Sequence, residues 1–343
     1  MSQFFVLYLL IILINFIYFL KIDYISNKLQ IFDRPSNIKN HKKIVPPIGG
    51  ILLFINIVIS LFYISFYNFN ILDIFFYIYG YKQLVVFGLT LTIIFFIGLY
   101  DDKYNLSANQ KFLVLIPSIF FLIYIDDGLQ IRMITISIFD IQINLNRSAS
   151  IFSLICFLTY LNCINMFDGI NLQISIFSIS IILLIQFYVG SYSPVLIIIL
   201  IFFIIFSMFN FQSKVFIGDS GTLIVGFIIG YILIKLHNYE KIHSDVIFSF
   251  TIIPFLDMFR LIIKRLINGK NPFNGDTNHI HHRLIKKTNY HITILVIFIT
   301  FFVPILINVI FGFKYNFILI ILSILVYFFL LLTTSDKKNN TKN

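Results

Sequence analysis

Two adjacent carboxylates, Asp101 and Asp102, close a long apolar run. Neighbouring like charges push one pKa up, and carboxylate oxygens suit Mg2+, so the pair reads as a cation site or an acid/base couple. The plainer alternative is a solvated helix end. Further along, Asn162, Asn165 and Asp168 punctuate apolar sequence at a spacing that lets them share one helix face. Such groups cost free energy at the end of a membrane helix unless they find partners. Interhelical hydrogen bonding is one outlet, but Asp168 adds charge and Gly169 allows close backbone approach. Asp219 stands between Gly218 and Gly221, as a helix N-cap or as a metal ligand on an open turn. Lys39 and His41 lie in a basic stretch suited to phosphate at a membrane surface, or to nothing more than a Pro/Gly helix start. The last cluster is His279, His281, His282 and Arg283. Clustered histidines suggest zinc, yet no cysteine and no His-Glu-x-x-His helix accompanies them. Upstream, Asp257 and Arg260 sit at i,i+3 and are expected to pair.

The elements that must position these groups are membrane helices. Of 343 residues, 59% are hydrophobic and 12% charged, which excludes a water-soluble globular domain and a disordered chain. Eleven apolar runs lie at about 3–20, 47–66, 84–100, 112–125, 150–164, 174–189, 195–209, 222–237, 246–264, 292–311 and 316–333. They are unbroken rather than alternating, so the expected fold is an all-α polytopic membrane protein of about 11 transmembrane helices, with 10 as the alternative. The first run lacks a basic leader and a small-residue cleavage site and reads as a retained helix. Cys156 and Cys163 are too far apart along a helix to bond each other. No internal repeat is visible, and no loop is long enough for a soluble domain. The expected organisation is one integral membrane domain, 1–343, with a polar tail from 334.

Charge sets the orientation. Placing the loop 21–46 inside and alternating from there puts nineteen of the 25 Lys and Arg on one side, giving N-out and C-in. Nine of the fifteen acids fall on that side too, so the inner face holds the whole net charge of +10 and the outer face none. The excess marks topology and offers a phosphate-attracting surface; it is not a sign of nucleic acid. Most of the candidate chemical groups fall on inner loops. A transporter would instead place its polar groups near the midplane, between repeated halves.

In order and spacing these motifs resemble the polyprenyl-phosphate N-acetylhexosamine-1-phosphate transferases, the glycosyltransferase family 4 group that is WecA/TagO-like and related to MraY. The similarity runs from about residue 30 to 287. The family's Asp-x-Pro-x-x-Arg-Lys-x-His and Pro-x-x-Gly-Gly look like Asp33 to Gly50, and its Asp-Asp falls on Asp101 and Asp102. Its Asn-x-x-Asn-x-x-Asp-Gly falls on Asn162 to Gly169, and its Phe-Met-Gly-Asp-x-Gly-Ser looks like Phe216 to Thr222. The histidine loop falls on Pro272 to His282, closer to the WecA/TagO pattern than to the Pro-Leu-His-His-His of MraY. The chain departs from the family at Ile38, where Arg is usual, and at Asn171-Leu172, where Asp/Asn-Gly is usual.

The resemblance implies a reaction and its parts. A sugar 1-phosphate, most simply GlcNAc 1-phosphate, passes from a UDP-sugar to undecaprenyl phosphate with release of UMP. This would initiate a cell-envelope glycan at the bacterial inner membrane, on its cytoplasmic face. Mg2+, or Mn2+, would be held by Asp219 and Asp168. Asp101, Asp102 and Asp168 are implied as catalytic, one of the first two positioning or deprotonating the lipid phosphate. Substrate contacts are implied for Lys39, His41, Lys111, Asn162, Asn165, Asn171, His279, His281, His282 and Arg283, with Phe216 stacking on the uracil. The partners are the polyprenyl phosphate lipid and the UDP-sugar, with no nucleic acid; a homodimer is compatible with this. A phospho-MurNAc-pentapeptide transferase, or a transferase of an unusual deoxy sugar, is the alternative within the family.

Overall fold

The computed structural model describes residues 4–35, 43–67, 78, 80–136, 141–190, 193–272 and 278–335. Each of the eleven apolar runs is helical. They correspond to α1 (Phe5–Leu20), α3 (Gly49–Tyr67), α4 (Tyr81–Tyr104), α5 (Ala108–Ile125), α6 (Ala149–Phe167), α7 (Gln173–Val189), α8 (Pro194–Phe211), α9 (Gly218–Asn238), α10 (Ser244–Ile267), α12 (Tyr290–Phe311) and α13 (Asn316–Thr333). Two short helices, α2 (Ile22–Leu29) and α11 (Ile280–Lys287), join them. Among the described residues nine helices are long and apolar enough to cross a membrane alone. The tenth candidate is α1 with α2, which bend by 69° where they meet. The eleventh, α7, has 17 residues, the lower limit of a span, and buries Gln173, Ser175, Ser178 and Ser180 among its neighbours.

Helix ends follow local chemistry. Ser107 and Gln110 form a capping box at the start of α5. Ser193 caps α8, with Pro194 at its first position. Asn289 caps α12 through Ile292 N–H.

The centre of the bundle is α9. Every residue from Ser220 to His237 is buried. It packs against α3, α4, α6 and α7. Gly226 and Gly230 face α6, where an added Cβ would stand 3.1 Å from the Leu161 side chain and 3.1 Å from the Tyr160 ring. Small residues four apart thus let two membrane helices approach closely.

One element was absent from the apolar pattern. Strands β1 (Met133–Ile136) and β2 (Ile141–Asn144) pair antiparallel at the end of the bundle remote from the candidate site. The hairpin is tied to the far end of α9 and the start of α10: His237 meets Met133 O at 2.7 Å, and Ser244 Oγ donates to Thr135 O. Beside it Lys235 and Asp126, which the sequence places in the outer charge count, form a fully buried ion pair at 2.5 Å. Tyr231 donates to the other Asp126 oxygen at 2.8 Å. A buried pair gains little over apolar residues, but stripping one partner strands a charge. Lys235→Met is therefore expected to cost roughly 3–5 kcal/mol. Its thermal melt in detergent should fall well below wild type, and adding Asp126→Leu should restore most of the loss. A melt unchanged in the single variant would show that the pair carries no such load.

Candidate active site

The site forms where α4, α6 and α8 end and α3, α7 and α9 begin. Asp101 and Asp102 sit in the last turn of α4, one residue and so about 100° apart, and they point to different partners. Asp102 reaches the start of α9. Its Oδ1 accepts from Asp219 N–H at 2.6 Å, and its Oδ2 accepts from Ser220 N–H at 3.0 Å and Ser220 Oγ at 2.7 Å. It thus caps α9 from another helix and satisfies amides that the helix itself leaves open. Only glycine fits at 218: its φ is +74°, and a Cβ would lie 2.6 Å from the Asp102 carboxylate and from Pro47 O.

Asp101 accepts from Leu106 N–H at 2.5 Å and is ion-paired with Lys111. Lys111, in the first turn of α5, also reaches Asp219 Oδ2 at 2.6 Å. One ammonium therefore bridges two carboxylates from different helices. Asn165 donates to the same Asp219 oxygen at 3.3 Å and is itself oriented by Thr222 Oγ1, 3.0 Å from its carbonyl oxygen.

Asp168 stands at the C-terminal end of α6 and carries no hydrogen bond to the described residues. Burial, followed by the nearby negative charge of Asp219, pushes its pKa up from 3.8 to about 7. Past it the chain turns through Leu172, held at a φ of +68°. Leu172 N–H donates to Asn210 Oδ1 at 2.7 Å, Asn210 Nδ2 to Val215 O at 2.8 Å, and Asn171 Nδ2 to Ser213 Oγ at 2.7 Å. Tyr290 OH donates to Asn171 O at 3.1 Å. Backbone bonds seat the Pro46–Gly50 segment on Phe216 and Ile217: Phe216 N–H to Pro46 O, Gly49 N–H to Phe216 O and Gly50 N–H to Ile217 O, at 3.0, 3.0 and 2.8 Å.

These segments enclose a cavity of about 790 Å³. Of the residues singled out in the sequence, Asp101, Asp102, Asn165, Asp168, Asn171, Phe216, Asp219 and His282 line it, and Lys111 touches two of its carboxylates. Asn162, one turn back in α6, does not. Neither do His279, His281 or Arg283. Asp257 holds His279 at 2.8 Å and accepts from Ile280 N–H, which anchors α11; Arg260 pairs with Asp257 at 2.7 Å, as the i,i+3 spacing predicts. Arg283 instead donates to Leu331 O at 3.1 Å, at the end of α13. His281 is fully buried behind Gly169, and its pKa is pushed well below the usual histidine value by burial and by the neighbouring imidazoles. Lys39, His41 and Asp276 lie outside the described residues.

Sequence reading missed several lining residues: Arg34, Asn105, Ser213 and Tyr290. Asn210, a polar residue ending an apolar run, gave the clearest signal of its place.

The donor set suits a hard cation. Asp219 presents a carboxylate to the cavity with 32% of its side chain exposed, and Asp168 has no competing partner. Mg2+ is commonly held by one or two carboxylates together with substrate phosphates. A preformed cluster of three His, Cys, Asp or Glu that could hold a metal ion is absent among the described residues.

Helix-end carboxylates thus line a polar cavity at one end of a bundle of helices long and apolar enough to cross a membrane. The family signature described as Glycosyl transferase family 4 matches residues 84–237. It is 29% identical over 292 residues to the Bacillus subtilis protein named "Probable undecaprenyl-phosphate N-acetylglucosaminyl 1-phosphate transferase", covering 81% of this chain and 76% of that one. It is 25% identical over 281 residues to the Thermotoga maritima undecaprenyl-phosphate alpha-N-acetylglucosaminyl 1-phosphate transferase, covering 79% of each. The Escherichia coli K12 protein of that name is 22% identical over 277 residues, covering 76% of this chain and 71% of its own.

Two outcomes follow from the Asp168 turn. The folded protein keeps the Asp168 proton up to about pH 7, while the unfolded chain loses it near 3.8. Between those values the folded state binds more protons, so this group's contribution to stability falls as pH rises. Asp168→Asn should flatten the drop in melting temperature between about pH 5 and about pH 8; an unaltered slope would refute the shift. At Leu172 the left-handed backbone costs a side chain roughly 1–2 kcal/mol, against roughly 0.5–1 for the extra freedom of glycine in the unfolded chain. Leu172→Gly should melt at or above wild type, whereas Leu172→Val should melt lower. Equal melts for the two would refute the strain.

Proposed function

We propose that this protein transfers GlcNAc 1-phosphate from UDP-GlcNAc to undecaprenyl phosphate and releases UMP, as the first step of a cell-envelope glycan. The observation that carries the reading is the Asp101–Lys111–Asp219 bridge beside Asp168, at one end of the membrane bundle. The names of the relatives agree with it. The same end carries the positive excess seen in the loops, which favours a cytoplasmic site in the bacterial inner membrane. There a soluble nucleotide and a lipid phosphate can meet.

The reaction joins an oxygen of the lipid phosphate to the β-phosphorus of the UDP-sugar. The bond from that phosphorus to the bridging oxygen breaks, and UMP departs with the electron pair. Little covalent chemistry falls to the protein, so its work is alignment and charge control. Arg34 and Lys103, which line the cavity, and Lys111, whose ammonium bridges two of its carboxylates, are the cations that would meet phosphate oxygens. Asp102 is committed to the start of α9 and acts by holding Asp219 in place. Asp168, which keeps or loses a proton near neutral pH, is the carboxyl suited to accept one from the lipid phosphate. Asn171, Ser213 and Phe216 line the side that would take the nucleotide. Asp219, with Asp168 beside it, would hold Mg2+. Bound there, the ion supplies neutralisation of the diphosphate oxygens.

The purified protein in detergent, with labelled UDP-GlcNAc, undecaprenyl phosphate and Mg2+, is expected to release UMP and form a diphosphate-linked lipid. Asp219→Asn should lower kcat by roughly 10²–10³-fold or more, and EDTA should abolish turnover until Mg2+ is restored. Turnover in excess EDTA would remove the metal from the mechanism. If UMP forms only from a different UDP-sugar in a donor panel, the GlcNAc assignment falls.

A further inference from the structure

Behind the cavity wall two polar side chains meet in full burial. Gln173, the first residue of α7, and His281, in the first turn of α11, are 0% and 1% exposed. Gln173 Nε2 lies 3.2 Å from His281 Nδ1. With Gln173 Nε2 as the donor, Nδ1 accepts and the neutral ring carries its proton on Nε2. That Nε2 is pressed against Gly169: a Cβ there would collide with it. Nε2 and Gln173 Oε1 have no other partner among the described residues. His279 stacks parallel on the ring at 5.3 Å, and His282, which lines the cavity, meets it edge-on at 4.3 Å. The ring is therefore held on several sides, and its outer edge meets the backbone between Asp168 and Asn171.

We propose that Gln173 is a positioning residue: by donating to Nδ1 it sets the tautomer and orientation of His281, which then braces the Gly169 turn and fixes Asp168 and Asn171 in the cavity wall. A buried hydrogen bond is costly to leave half-made, so a partner that demands the opposite tautomer must turn or displace the ring. Gln173→Glu makes that demand, since a carboxylate accepts from Nδ1–H. Gln173→Leu keeps the volume and removes both polar atoms, leaving the tautomer unset.

The effect on turnover rests on the function proposed above; the tautomer does not. The full-length protein, labelled with 15N-histidine in micelles, reports which ring nitrogen is protonated in each of its seven histidines. The His281 signals are identified by their loss in His281→Asn. Protonated Nε2 and bare Nδ1 are expected in wild type, and the reverse in Gln173→Glu. In the transfer assay Gln173→Glu should lower kcat roughly tenfold and leave KM for UDP-GlcNAc within about twofold, with Gln173→Leu between it and wild type. A protonated Nδ1 in wild type would overturn the assignment. So would a reversed tautomer with unchanged kcat, or kcat values that follow only the melting temperatures of the two variants. Should Gln173→Glu fail to fold, the wild-type spectrum and Gln173→Leu decide the matter. A wild-type protein without transfer activity would count against the proposed function instead, with the spectrum still deciding the tautomer.

Discussion

Four carboxylates share one cavity, and their mutual repulsion is the constraint that the rest of the structure answers. Asp101, Asp102, Asp168 and Asp219 all face it. Each is relieved differently. Asp102 spends both oxygens on the first amides of α9, where the positive end of the helix favours an anion. Asp101 and Asp219 share Lys111. Asp168, buried, left without a cation and close to Asp219, keeps its proton to about pH 7. Four identical side chains are thus accommodated in three different ways, set by their surroundings.

That arrangement needs α9 in one place, and the fold supplies this from both ends. At the site end Asp102 and the Pro46–Gly50 segment seat its first turn. Along its length the glycines at 226 and 230 let α6 approach. At the far end Lys235 and Tyr231 close on Asp126, and Asn238 donates to Gly128 O and Gln130 O. A helix buried on every side cannot slide without breaking one of these contacts. The carboxylate on its first turn is correspondingly fixed.

Much of this was legible in the sequence, and the remainder was hidden for physical reasons. The eleven apolar runs are the eleven long helices, because in a bilayer the backbone has few other options. Asp101, Asp168 and Asp219 stood out because charge at the end of an apolar run is costly without a purpose. Partnership was not legible. Lys235 and Asp126 were counted as outer charges, but they lie 109 positions apart and only the fold shows them buried together. Asp102 and Asp101 look alike in sequence, yet a rotation of one residue sends one to cap α9 and the other to Lys111. His281 and Arg283 look like ligands by type, but the short helix α11 turns them toward Gly169 and α13. Gln173 is not legible in the sequence, since one amide at the start of an apolar run has no distinguishing pattern.

The placement of charge also separates an enzyme from a carrier. A carrier needs a polar group that can be vacated and refilled partway through the bilayer. Among the described residues the carboxylate deepest within a long helix is Asp257, and it is committed to Arg260, His279, Ile280 N–H and Tyr327 OH. Filling it with a transported ion would strip four partners from a buried charge, at a cost no passing solute could offset. Asp168 is the reverse case: it has no hydrogen-bond partner among the described residues, it opens onto the cavity, and it sits at a helix end. Asp257 is thus occupied within its helix, whereas Asp168 stands unpartnered at the cavity wall.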